Sequence, residues 1–174
     1  MHYTGSMCAV SGSESVENAE RMLELMKHRA PDGARVFFDG KYAIGAGRLA
    51  IVDLVSQFNL PYQKNGLTIA FYGEIYNYQS IRKRLERKGC IFKTNTDTEV
   101  VLEAYKEWGV RCVHYFNGMF AIAIYDGNTI FLARDIAGEK PLYYTRKPFR
   151  FASEMKALDF NCVEFPPAHF GVYD

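Results

Sequence analysis

No charge of one sign dominates this chain. Over 174 residues, 21 lysines and arginines stand against 20 aspartates and glutamates, a formal charge of +1. Without a basic surplus to neutralise phosphates, nucleic acid is excluded as a partner class. No apolar run approaches the ~18 residues that span a bilayer, and no signal peptide is recognised, so no membrane partner is expected. The four cysteines (Cys8, Cys90, Cys112 and Cys162) form no CxxC pair, and His2, His28, His114 and His169 are equally scattered. No metal site is therefore expected, and the thiols read as reduced ones in a cytoplasmic protein. Internal repeats, low-complexity tracts and clear linkers are missing too.

What is present suits an ordinary soluble domain, with 48% hydrophobic and 24% charged residues. The length fits one domain with a core that needs no staples. The string CAVSG reads as a short buried strand ending at Gly12. From Ser15 to His28 the apolar residues Val16, Ala19, Met22, Leu23 and Met26 share one helical face, and HRAPDG ends that helix. Asp39-Gly40 divides two strand-like runs in RVFFDGKYAIGAGRLAIVDL, a hairpin signal repeated by Asp126-Gly127 in MFAIAIYDGNTIFLARD. LTIAFYGEIYN predicts another strand. NYQSIRKRLERKG predicts a helix capped by Asn77 and stopped by Gly89. DTEVVLEAYKEWG predicts a second, with Asp97 and Thr98 as candidate caps and Gly109 as its stop. Shorter strands follow in PLYYTRKPFRFASE, and FPPAHFGVYD reads as an exit segment. Hairpins and helices segregated in this way predict α+β layers rather than alternating βαβ units.

Eight strings in order carry more than composition does: MCAVSG, HRAPDG, GRLAIVDL, FYGEIYN, DTEVVLEAYKEWG, NGMFAIAIYD, LARDIAGEKPLYY and FASEMKAL. Together they resemble the glutamine-hydrolysing domain of class II amidotransferases, with the nearest likeness to the N-terminal domain of the asparagine synthetase family. The likeness runs from Cys8 to about Leu158. It implies an N-terminal-nucleophile fold, a four-layer α-β-β-α sandwich with two antiparallel sheets between helical layers. It also implies cleavage of the side-chain amide of L-glutamine by an N-terminal cysteine. Ammonia then passes to a second, ATP-using synthetase domain, as a separate domain or subunit. No SGGxDS pyrophosphate loop occurs here, so ATP and magnesium are expected only in that partner, and this domain needs no cofactor. A homodimer is also admitted.

The resemblance gives Cys8 the role of nucleophile, and its chemistry requires a chain terminus. Thiolate is the attacking species, and a free cysteine near pKa ~8.5 is only partly ionised at neutral pH. An α-amine titrating near ~7.7–8.0 can take the thiol proton and later protonate the departing ammonia. Residues 1–7 accordingly read as a leader, tag remnant or propeptide, and 8–174 as the glutaminase domain. The alternative for Cys8 is a small buried strand residue. By the same resemblance Arg48 holds the α-carboxylate of glutamine through its bidentate fork, for which a half-exposed strand arginine is the alternative. Asp97 holds the substrate ammonium, with plain helix capping as the rival role. Glu74 shapes the same pocket or is a solvated turn residue.

Gly73 is implied to donate its backbone N–H to the tetrahedral oxyanion. Tyr72 stands where the family pattern has an asparagine whose side-chain amide is the other donor. Loss of one such donor typically costs about 10²–10³ in turnover. Ala9, Ala30 and Ala46 replace two glycines and a histidine of that pattern, and alanine in place of glycine is expected to narrow or shift the site. Two functions therefore stand side by side: a glutamine amidohydrolase, and a catalytically silent amidotransferase-like scaffold or ligand-binding domain with Tyr72 closing the pocket. Arg134, Asp135 and Lys140 form either a buried charged network or a surface toward the synthetase domain. His28 and Arg29 order the loop near Cys8.

Overall fold

The computed structural model describes residues 8–48, 61–158 and 161–174. The 1–7 leader and the LAIVDL part of the first hairpin lie outside these residues. One sheet has six strands. Its centre is β1 (Ala9–Ser13), flanked by β3 (Ala43–Gly47) and β9 (Phe149–Ala152). β2 (Ala34–Phe38) extends it beyond β3, while β8 (Tyr143–Arg146) and β10 (Val163–Glu164) extend it beyond β9. The second sheet runs β4 (Tyr62–Lys64), β5 (Leu67–Ile75), β6 (Gly118–Tyr125), β7 (Ile130–Arg134) and β11 (Phe170–Tyr173) in that order. Every pairing is antiparallel.

α1 (Val16–Leu25) covers the six-stranded sheet, and α2 (Tyr78–Glu86) and α3 (Asp97–Trp108) cover the five-stranded one. Three core layers follow from strand alternation, which sends successive side chains to opposite faces. Ala9 and Ala43 pack with Met22 and Leu23 of α1. Val10, Ile44, Ala70, Tyr72 and Leu132 meet between the sheets. Ile69, Phe71 and Ile75 meet Leu85 of α2 and Val100 of α3. This is the four-layer α-β-β-α sandwich of the N-terminal-nucleophile type.

Four local expectations change. The first helix is regular only to Leu25, and Lys27–Arg29 tighten into a 3-10 turn through the bond from Arg29 N to Met26 O. Asn77 is the N-cap residue of α2 as expected, but its side chain accepts from Asn117 N and donates to Tyr115 O, pinning the neighbouring loop instead of bonding the first turn. The cap of α3 is Thr96, whose Oγ1 accepts from Glu99 N; Asp97 is the first helical residue and Thr98 lies inside. The supposed exit segment is not an exit. Phe170–Tyr173 closes the second sheet as an edge strand on β7, with Tyr173 stacked on Phe149 of the other sheet at 4.4 Å.

Candidate active site

Cys8 leads directly into β1. It shares the alternation of Val10, and packs half-buried against the core between the sheets. Val10 bonds Ser153 twice, its N–H reaching Oγ at 2.9 Å and its carbonyl accepting from Ser153 N at 3.0 Å. Cys8 has the same parity, but β9 has ended, and its carbonyl instead accepts from Arg29 Nε at 3.1 Å. Arg29 Nη1 is held 2.8 Å from Glu154. Glu154 also meets His28 at 2.9 Å and Lys156 at 3.2 Å. Partial burial pushes the Glu154 carboxyl up, but hydrogen bonds from Arg29, His28 and Lys156 outweigh it and hold the group at about 2. His28 and Arg29, expected to order the loop near Cys8, both bond Glu154 of FASEMKAL, a partner with no role in the sequence reading. A buried arginine that needs a carboxylate was the available signal.

The register that pairs Ala9 with Gly47 leads one residue further to Cys8 and Arg48. The Arg48 backbone closes on the HRAPDG turn, donating to Gly33 O at 2.9 Å and accepting from Asp32 N at 3.2 Å. Alternation from Ala46, a residue of the inter-sheet core, turns Arg48 to the same side as Cys8.

On the facing sheet β5 supplies Tyr72, Gly73 and Glu74. Phe120 stands opposite Gly73, yet its N–H and carbonyl both bond Asp135 on the far side, at 3.1 and 2.9 Å. Gly73 therefore occupies a non-hydrogen-bonded pair, and its own N–H points to the other edge of β5. Ile75, of the same parity, donates to Asp97 Oδ2 at 3.1 Å on that edge. β4 covers β5 only as far as Ile69. Gly73 has a φ of +147°, and a Cβ there would lie 2.0 Å from Met119 O, so both backbone conformation and space demand glycine.

Burial pushes the Asp97 carboxyl above the usual range; the N–H groups of Ile75 and Thr98 pull it back, and the Glu74 charge pushes it further up. A cation arriving at this carboxylate would reverse the balance. Tyr72 is only 5% exposed. Two cations lie over its ring, with Lys140 Nζ 4.7 Å and Arg29 Cζ 5.1 Å from the centroid.

Lys140 owes its place to the preceding loop. Asp135 accepts from Glu139 N and Lys140 N at 3.0 and 3.1 Å, and Arg134 donates to the carbonyls of Lys140, Gly138 and Phe165. Arg134 and Asp135 are thus a buried network, and Lys140 is the part of it that reaches the site.

The alanines sort differently from expectation. Ala9 and Ala30 belong to the core under α1, facing away from the inter-sheet site. Ala30 has an ordinary φ of −131°, and its Cβ stands 2.5 Å from where a Cβ on Gly47 would be. Ala30 and Gly47 are matched in packing, and neither Ala9 nor Ala30 narrows the site. Of the three, only Ala46 lies on the inter-sheet side.

Strand register and alternation thus bring a thiol, a guanidinium, a backbone N–H that no strand among the described residues covers and a buried carboxylate toward one end of the sandwich. Among the described residues no group of three histidine, cysteine or acidic side chains could hold a metal ion, and no helix is long and apolar enough to cross a membrane.

Residues 6–168 match the model of the glutamine amidotransferase domain family. A glutamine-hydrolysing asparagine synthetase 3 of Bacillus subtilis is 35% identical over 167 residues, 87% of this chain and 27% of its own length. Asparagine synthetase 1 of the same organism is 38% identical over 151 residues, 84% of this chain and 24% of its own length. The chain thus spans about a quarter of the length of these curated relatives. The solved glutamine phosphoribosylpyrophosphate amidotransferase of Bacillus subtilis superposes with a TM-score of 0.80 at 25% identity, over 95% of this chain and 47% of that one.

Proposed function

We propose that this chain, which belongs to the glutamine amidotransferase domain family, hydrolyses the side-chain amide of L-glutamine at Cys8. The ammonia serves an asparagine-synthetase-type, ATP-dependent partner domain, to which ATP and magnesium belong. The observation that supports this reading is that Cys8 and Arg48 stand one residue beyond the Ala9–Gly47 pair of the β1–β3 ladder, while Asp97 is bonded to Ile75, two residues after Gly73 on β5. Arg48 takes the substrate carboxylate, and Asp97 its ammonium, with Glu74 beside it. These two ends orient the side-chain amide, and orientation alone removes much of the barrier.

In a chain that begins at Cys8, the α-amine takes the thiol proton and the thiolate attacks the amide carbon. The oxyanion that forms accepts from Gly73 N–H. Collapse of the intermediate breaks the C–N bond, and the α-ammonium returns the proton to the departing ammonia. Water, deprotonated by the same amine, then cleaves the thioester to give glutamate and regenerate the thiol.

A second reading, the catalytically silent scaffold, is favoured by one observation. Tyr72, in contact with Lys140 and Arg29, stands where the family pattern has a donor amide. A glutamine analogue with a diazoketone in place of the amide, applied to a chain starting at Cys8, separates the two. The enzyme reading expects mass addition on the peptide containing Cys8 and none on those containing Cys90, Cys112 or Cys162. Labelling spread over all four thiols, or none, supports the scaffold.

A further inference from the structure

We infer that Lys64 and Glu99 are positioning residues for the amino-acid end of the substrate, their ion pair fixing loop 91–96 and through it the Asp97 carboxylate. The inference rests on Asp97 as the partner of the substrate ammonium, and goes beyond it in naming what holds that carboxylate in place. Thr96-Asp97-Thr98-Glu99 has the spacing of a capping box, in which the glutamate normally reaches back to the N-cap N–H. Here it does not. Thr96 N donates to Thr94 Oγ1 at 3.2 Å, and the Glu99 carboxylate reaches further, to Lys93 N at 2.9 Å and Thr94 N at 2.6 Å.

Lys64 of β4 completes the arrangement. Its Nζ lies 2.7 Å from both Glu99 and Glu103 and donates to Ile91 O at 2.6 Å. The three side chains are 7%, 0% and 5% exposed. Arg82 of α2 holds the same loop from the other side, donating to Thr94 O at 2.6 Å. Backbone donors and acceptors just before Asp97 are therefore tied to β4, α2 and α3 together. Burial works against the Glu99 charge, yet Lys64 and the two backbone N–H groups outweigh it and hold the carboxyl at about 2.

Stability alone is a weak reason for such a cluster. Apolar side chains of similar volume generally stabilise a core as well as a buried ion pair does, whereas the pair fixes geometry. Geometry is what Asp97 needs. It is the first residue of its helix, where ends fray, and a carboxylate displaced by about 1 Å loses most of its value for an ammonium.

The test compares binding of L-glutamine with binding of glutaramate, the same molecule without the α-ammonium, to the 174-residue chain by calorimetry. Wild type should prefer glutamine, and Asp97→Asn should abolish the preference. Glu99→Gln, which keeps shape and loses charge, and Lys64→Met should each reduce the preference by about tenfold or more, the usual worth of a charged hydrogen bond. Glu103→Gln lowers stability but leaves the Lys64–Glu99 bond, and should keep the preference. Lys64→Arg should restore it in part. A wild-type preference in a folded Glu99→Gln variant overturns the inference while sparing the role of Asp97. A preference retained in Asp97→Asn overturns both.

Discussion

Arg29 Nε donates to the carbonyl oxygen of Cys8 at 3.1 Å, and the same guanidinium reaches Glu154 at 2.8 Å. The Cys8 backbone is thereby fixed by a side chain from the turn after α1, beyond the end of β9. The Tyr72 ring lies against the same guanidinium, its centroid 5.1 Å from Arg29 Cζ. The position of Cys8 thus depends on an ion pair whose carboxylate titrates.

Glu154 carries the pH dependence of that link. Its carboxyl sits at about 2, below the ordinary glutamate value near ~4.3. A group depressed in the folded state contributes stability that is present above the unfolded value and lost as pH falls through the folded one. Glu154→Gln should therefore melt below wild type at pH 7, and the gap should close between about pH 4.5 and 2. Thermal unfolding followed across that range checks it; a constant gap would show that the charge is immaterial.

Asp97 runs the other way. Burial raises its carboxyl, so its charge opposes folding at neutral pH, and protonation relieves the cost as pH falls. Asp97→Asn keeps an oxygen to accept the Ile75 N–H, so the variant should melt a few degrees above wild type. It should bind glutamine at least about tenfold more weakly, the loss expected for one charged hydrogen bond. A variant with unchanged glutamine affinity in calorimetry removes Asp97 from the site.

Tyr72 separates a missing donor from a blocked pocket. If a donor is missing, Tyr72→Asn in a chain starting at Cys8 should raise kcat by about 10²–10³ with little change in KM. If the ring fills the pocket, Tyr72→Ala should do nearly as well, with the gain in binding. Lys140→Met removes one of the two cations and should loosen the ring without altering β5. Steady-state kinetics that respond to none of these changes make Tyr72 a packing residue.

Most of the sandwich was legible because local signals sufficed. Asp39-Gly40 and Asp126-Gly127 mark real hairpins, and the apolar face that begins after Ser15 marks α1. What was not legible depends on partners distant in the chain. Phe170–Tyr173 becomes a strand only because β7 offers an edge. The reach of Glu99 past Thr96 is set by Lys64, 35 residues earlier, and the Lys140 contact with Tyr72 by the Asp135 turn. Ala9 and Ala30 were misread for the same reason: which face of a strand or turn points to the site is a property of the register. Cys8, Arg48, Gly73, Glu74 and Asp97 are proposed as site residues through resemblance, and none announces a catalytic or binding role by local pattern.

The free-amine role of Cys8 is tested most directly by ammonia release from L-glutamine, measured in parallel on a chain starting at Cys8 and on the 174-residue chain. In the longer chain the Cys8 nitrogen is an amide and cannot act as a base. Turnover should appear in the shorter chain, stay at background in the longer one, and vanish from the shorter chain with Cys8→Ala. Equal turnover in both chains, or turnover that survives Cys8→Ala, would contradict it.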